Sequence, residues 1–189
     1  MKFYATKDIR NVALTGHGGE GKTTLAEAML FASGGSERMG RVEEGNTASD
    51  FDPEEIKRHI SINTAVIPVE WKDCKVNIID APGFFDFAGE TQAAYYLCDA
   101  ALILVSALSG LSVGAEKAYE YARAHNLPRA FFINQMDKEN ASFEKTLNQL
   151  KEKYGPAVTP MQLPIGEGPH FAGIADILEN RAYGFDGKS

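Results

Sequence analysis

The sequence predicts an α/β fold, a mostly parallel, doubly wound sheet with helices on both faces, and three observations predict it. A glycine-rich turn, GHGGEGKTT at residues 16–24, stands between a short apolar run and a segment of helical composition. Strand-length and helix-length segments alternate along the chain, the pattern of βα units that pack as an open parallel sheet. Residues 100–107 form a continuous apolar run of strand length, as in a central strand covered on both faces.

In order, residues 9–15 are the first strand and residues 25–31 fall in the first helix, closed by Gly34 and Gly35. Residues 36–61 are polar and glycine-punctuated and are expected to form a long mobile loop, a length that inside a compact domain usually marks function. Two β-branched runs, 63–71 and 75–80, flank the turn-like Lys72-Asp73-Cys74 and predict a hairpin. A helix over 90–97, the strand at 100–107, a helix over 113–125, a buried strand at 129–134 and an amphipathic helix over 142–154 follow. The last carries Leu147 and Leu150 on one face and lysines and glutamates on the other. Past Gly155, Pro156, Pro160, Pro164 and Pro169 break any long element.

A chain of 189 residues, 44% of them hydrophobic, buries one substantial core, with room for the beginning of a second domain. The net charge of -7 excludes a whole-surface nucleic-acid binder but leaves room for a local basic patch. Cys74 and Cys98 are far apart and no cleavable signal precedes the first strand, so reduced thiols in a cytoplasmic protein are expected, with no bridge. No apolar run approaches the ~20 residues of a membrane span.

The chemistry lies in three strand-end motifs. Gly16, four residues, then Gly21-Lys22-Thr23 is the P-loop spacing: glycines turn backbone N–H groups inward, lysine neutralises phosphate charge and the threonine hydroxyl faces magnesium. The fold class is therefore that of a P-loop NTPase, and this motif alone leaves kinases, ATPases and GTPases open. Asp80 ends a strand before Pro82-Gly83, which suits a carboxylate that holds magnesium through water and a Gly83 N–H that meets a terminal phosphate. Asn134-Gln135-Met136-Asp137 ends another buried strand and places a carboxylate to accept from a purine bearing N1–H and an exocyclic amine, which is guanine. All three open on the edge where doubly wound sheets bind ligands.

With these residues in view, the chain resembles the translational GTPases, most closely the N-terminal G domain of elongation factor G. The resemblance rests on Arg10-Asn11, Gly21-Lys22-Thr23-Thr24, Asp50-Phe51, Arg58-His59-Ile60-Ser61-Ile62, Asn77-Ile78-Ile79-Asp80, Pro82-Gly83, Asp86-Phe87 and Asn134-Gln135-Met136-Asp137. Gln162-Leu163-Pro164-Ile165-Gly166 and Phe171-Ala172-Gly173 look like the start of the insertion that this factor carries in its G domain. The resemblance implies a G domain over residues 1–155, lacking its last guanine-binding segment, with the start of the insertion over 156–189, in a fragment of a longer protein.

It also implies GTP or GDP with Mg2+ as ligands, the ribosome as partner of the longer protein, a monomer, and neither membrane nor sequence-specific nucleic acid. Nucleotide contacts would come from Gly16, His17, Gly18, Gly19, Glu20, Gly21, Lys22, Thr23 and Thr24, from Asp80, Ala81, Pro82, Gly83 and Phe84, and from Asn134, Gln135, Met136 and Asp137. Lys22 would bind the β and γ phosphates, Thr23, Ser61 and Asp80 the metal, Gly83 the γ-phosphate, and Asn134 and Asp137 the base. Three departures stand out: Phe84 where the family has a water-orienting histidine, Gln135 where a lysine lies along the guanine ring, and Gly19 in place of an aspartate. Phe84 cannot exchange a proton with water, which predicts slow hydrolysis or a GTP-sensing switch. His59, which replaces a glycine two residues before Ser61, is the candidate to orient the water instead, with Phe84 as an apolar gate.

Overall fold

The computed structural model describes residues 2–185, so the last four of the segment 156–189 lie outside the described residues. Strands β1 (Ile9–Thr15), β2 (Ala65–Trp71), β3 (Cys74–Asp80), β4 (Ala100–Ser106) and β5 (Arg129–Asn134) form one sheet in the order β2-β3-β1-β4-β5. β1 runs parallel to β3 and to β4, and β2 is antiparallel to β3 across the hairpin. That hairpin turns at Lys72 and Asp73, both at positive φ. In β2, Ala65, Ile67 and Val69 are buried and the residues between them exposed, the alternation of a strand covered on one face only. β2 is also an edge strand, which is where Pro68, with no N–H to give, is tolerated.

The chain divides into two compact units, one of residues up to 104 with 113–132, the other of 105–112 with the residues from 133 onward. In the first, alternate residues of one strand feed opposite faces of the sheet, because the side-chain period of a strand is two. Ile78, Leu14 and Leu104 pack with Ala26 and Leu30 of helix α1 (Lys22–Ala32). Ile79 instead packs with Ala94 of helix α3 (Ala88–Leu97). Ala101 joins Tyr95 of α3 and Ala122 of helix α4 (Val113–Ala124), and the Tyr95 hydroxyl donates to the Ala118 carbonyl at 3.1 Å. The predicted α/β sheet with helices on both faces is therefore the fold.

The second unit holds helix α5 (Phe143–Tyr154), whose N-cap Ser142 accepts from the Lys145 N–H, and a small antiparallel sheet β6-β7-β8 (Gln162–Ile165, Gly173–Asp176, Arg181–Gly184). Its apolar centre is Ala107, Met136 and Ala141, with Ile133, Phe143 and Phe171 against them.

The expected mobile loop over 36–61 is corrected by the structure. Residues Val42–Glu44 form a 3-10 turn and Pro53–Arg58 a short helix, α2. Two buried glutamates organise the segment. Glu27 of α1 accepts from the N–H groups of Gly40 at 3.0 Å and Ala48 at 2.5 Å. Glu55 of α2 accepts from Ile62 and Asn63, at 2.9 and 2.8 Å, and from the N-cap residue Asp52 at 3.0 Å.

Candidate functional site

The glycine-rich turn leaves β1 at Thr15 and enters α1 through Gly21, whose φ of 87° is a left-handed conformation that favours glycine. No side chain caps α1, so its first N–H groups keep the partial positive charge that attracts a phosphate. Lys22 is buried, and its ammonium donates to the His17 carbonyl at 2.8 Å. Burial pushes the Lys22 pKa down, against the pull of Asp80, Glu20 and Asp50. Glu20 is buried as well and accepts from the His17 N–H at 2.7 Å, which braces the turn. Gly18 and Gly19 are more open, and Thr24 is exposed on α1.

β3 delivers Asp80 to the same place. The Thr23 hydroxyl donates to Asp80 Oδ2 at 2.7 Å and lies 3.2 Å from the Ser61 hydroxyl, which in turn donates to Asp50 Oδ1 at 2.8 Å. Thr23, Ser61 and Asp80, named from sequence as metal ligands, thus stand together, and Asp50, which sequence reasoning left without a role, joins them. The buried Asp80 Oδ1 and the buried Ser49 hydroxyl each lack a well-formed hydrogen bond, although Ser49 stands near enough to Asp80 to oppose the rise of its pKa. Burial raises the Asp80 pKa to about 6, with Thr23 and Lys22 opposing, and raises that of Asp50 against its bond from Ser61. Three carboxylates therefore act on one buried ammonium. Oxygen donors, surplus negative charge and a carboxylate oxygen without a well-formed hydrogen bond are the chemistry of a site for a hard divalent cation, and the donor set fits Mg2+.

Ala81 and Pro82 are buried behind the strand end, and Pro82 O accepts from the Thr91 hydroxyl at 2.8 Å. Gly83 lies against Lys22 Nζ and 2.7 Å, measured from where a Cβ would stand, from the Gly18 nitrogen. Phe84 packs its ring over Gly18, at 2.6 Å from where a Cβ there would stand, and tilts against His17 at 6.4 Å between ring centroids. His17 thus faces Phe84 and Phe85, and its Nδ1 is buried without a partner. His59 stands apart from these: it caps the C-terminus of α2 at φ 54°, exposed, with Nδ1 3.0 Å from the Val42 carbonyl.

In the second unit, Asn134 ends β5 and its carbonyl accepts from the Ala107 N–H at 2.9 Å. Gln135 sits at φ 62° with Oε1 accepting from the Ser106 hydroxyl at 2.5 Å. Met136 is buried and its carbonyl accepts from the Gly168 N–H at 2.8 Å, so the turn is fixed from both sides. Asp137 is left exposed, with Lys138 Nζ 3.8 Å away, and its carboxylate can accept from a ligand.

Three residues that shape this site, Asp50, Glu27 and Glu55, were not singled out for it from sequence. Asp52-Pro53-Glu54-Glu55 is a legible capping box that would have revealed α2 and with it Glu55. Glu27 has no such signal, being one acid in a helix.

The family model of the elongation factor Tu GTP-binding domain matches residues 7–187. The chain is similar to elongation factor G of Granulibacter bethesdensis, 37% identical over 187 residues, which are 99% of this chain and 27% of that protein. It is also similar to the mitochondrial ribosome-releasing factor 2 of Culex quinquefasciatus, 36% identical over 91% of this chain and 23% of that one. A crystal structure of a protein from Thermus thermophilus superposes with a TM-score of 0.89 at 41% identity, covering 95% of this chain and 27% of the other. The chain thus spans about a quarter of the length of the relatives it matches. Among the described residues no helix is long and apolar enough to cross a membrane.

Proposed function

The chain belongs to the family of the elongation factor Tu GTP-binding domain, and from that premise we propose that it binds GTP and GDP with Mg2+ and hydrolyses GTP within an elongation factor G-like protein. The observation that carries the reading is the oxygen cluster of Thr23, Ser61, Asp50 and Asp80 beside the buried Lys22. In this reading Thr23, Ser61 and Asp80 would hold the metal, with Asp50 beside them, and Lys22 with the N–H groups of the glycine-rich turn would hold the phosphates. Mg2+, when bound, supplies neutralisation of the phosphate charge. Gly83 N–H meets the γ-phosphate, and Asn134 and Asp137 hold the base.

Competition among nucleotides tests the base. The Asp137→Asn variant should prefer xanthosine to guanosine nucleotides, because a site built for polar pairing discriminates by orders of magnitude when one partner is lost. ATP displacing bound GDP as well as GTP does would refute the assignment.

Phe84 supports a second reading, a switch that hydrolyses GTP very slowly. Phosphoryl transfer depends on positioning the attacking water, and a hydrocarbon ring against Gly18 positions none. His59 serves as a substitute only by leaving the Val42 carbonyl. Turnover of the full-length protein, with and without ribosomes, separates the readings: stimulation by ribosomes favours the GTPase acting there, and no turnover in either condition favours the switch. In that assay His59→Gly should lower turnover if the histidine orients the water.

A further inference from the structure

We propose that Ser106 is a positioning residue for the base, whose hydroxyl holds the side-chain amide of Gln135 in one orientation. Ser106 ends β4, is buried, and is itself fixed by its surroundings. Its carbonyl accepts from the Gly110 N–H at 2.9 Å, and the next residue, Ala107, donates its N–H to the Asn134 carbonyl, also at 2.9 Å. The Ser106 hydroxyl accepts from the Leu108 N–H at 3.2 Å and gives its one proton to Gln135 Oε1, 2.5 Å away. Were the amide turned over, its NH2 would confront an oxygen that already accepts from Leu108, and the hydroxyl proton would lose the acceptor it has. The carbonyl corner of the amide is therefore the one that faces the end of β4.

Gln135 needs such a partner for reasons of chemistry. A lysine ammonium carries three equivalent N–H donors and presents one of them from any rotation about its last bond, whereas an amide has two unlike corners, one donor and one acceptor. A chain with glutamine at this place in the Asn134-Gln135-Met136-Asp137 turn therefore needs a group that tells the corners apart, and Ser106 supplies it. Holding one long side chain in a single rotamer is worth about two- to tenfold in the affinity of whatever that side chain lies against. Ser106 thus acts on the base through Gln135, without touching the base itself.

The proposal rests on the reading that residues 134–137 take guanine, and its test is the affinity of a fluorescent GDP analogue for the full-length protein. Ser106→Ala should weaken binding about two- to tenfold, chiefly through faster dissociation. In a Gln135→Met background, where the stem remains and the amide does not, the same substitution should change nothing, and in a Gln135→Lys background it should again change nothing. A Ser106 that merely supported the fold would cost the same in all three. The loss should also be equal for GDP in the parent and for xanthosine diphosphate in Asp137→Asn, because Gln135 is proposed to lie along the ring and not to read its edge. If Ser106→Ala does not fold, Ser106→Cys, similar in size and a weaker donor, takes its place, with a smaller loss in the same pattern. An equal loss in every background, or no loss in the parent, overturns the proposal while GDP binding by the parent leaves the functional reading standing. A parent that binds no guanine nucleotide overturns that reading and the proposal together.

Discussion

At Gly83, a single missing methyl decides whether the ends of β1 and β3 can meet. A Cβ there would run into the Lys22 ammonium and stand 2.7 Å from the Gly18 nitrogen. Gly83→Ala should therefore lose GTP-analogue binding by about tenfold or more in a fluorescence titration, and the overpacking should cost about 1–3 kcal/mol of stability in urea unfolding. Cys98 gives a pH signature of a different kind. Burial, with Asp99 adding to it, pushes its thiol from 9.0 up to about 11. A group whose folded pKa is raised contributes stability that is full below its unfolded value and lost as pH rises through the folded one. The stability advantage of the parent over Cys98→Ala should thus be constant up to about pH 8.5 and shrink toward pH 11, as read from denaturation midpoints. A difference that stays flat across that range would contradict the burial of this thiol.

The elements divide by how local their signals are. β4 and β5 were legible because an apolar run between polar ends needs no partner to be recognised, and β1 because its apolar residues run directly into the glycine-rich turn. α3 begins two residues earlier than its composition suggests, since Ala88 and Gly89 carry no periodic signal, and helix starts without a capping side chain are poorly marked. α2 was missed for a physical reason: Pro53–Arg58 is too short to show an amphipathic period, and what makes it a helix is the capping box and the bonds Glu55 makes with residues outside it. The motifs proposed to hold phosphate, metal and base are residue types at fixed spacing and so could be named from sequence, whereas Asp50 and Glu27 act through contacts that only folding creates. Tyr95 ties α3 to α4 through its hydroxyl, a bond no sequence pattern shows. Tyr95→Phe should cost about 1 kcal/mol, the net worth of one hydrogen bond, and Tyr95→Ala about 3–5 kcal/mol for the cavity, both measured by thermal unfolding.

Across the whole molecule, the residues proposed to face phosphate and metal all belong to one compact unit and those proposed to face the base to the other. Recognition of the two ends of a nucleotide should therefore be separable. The Asp137→Asn variant is expected to bind xanthosine triphosphate with the same magnesium requirement that the parent shows for GTP, and a shifted requirement would mean that the base motif also governs the metal. Pro68, set in the edge strand β2 among the exposed side chains of Val66 and Trp71, has a consequence of another order. A sheet edge is a template on which further chains can add strand by strand, and a proline interrupts its row of donors. Pro68→Val would complete that row beside two apolar side chains, so the variant should form fibrils or precipitate at concentrations where the parent stays dispersed.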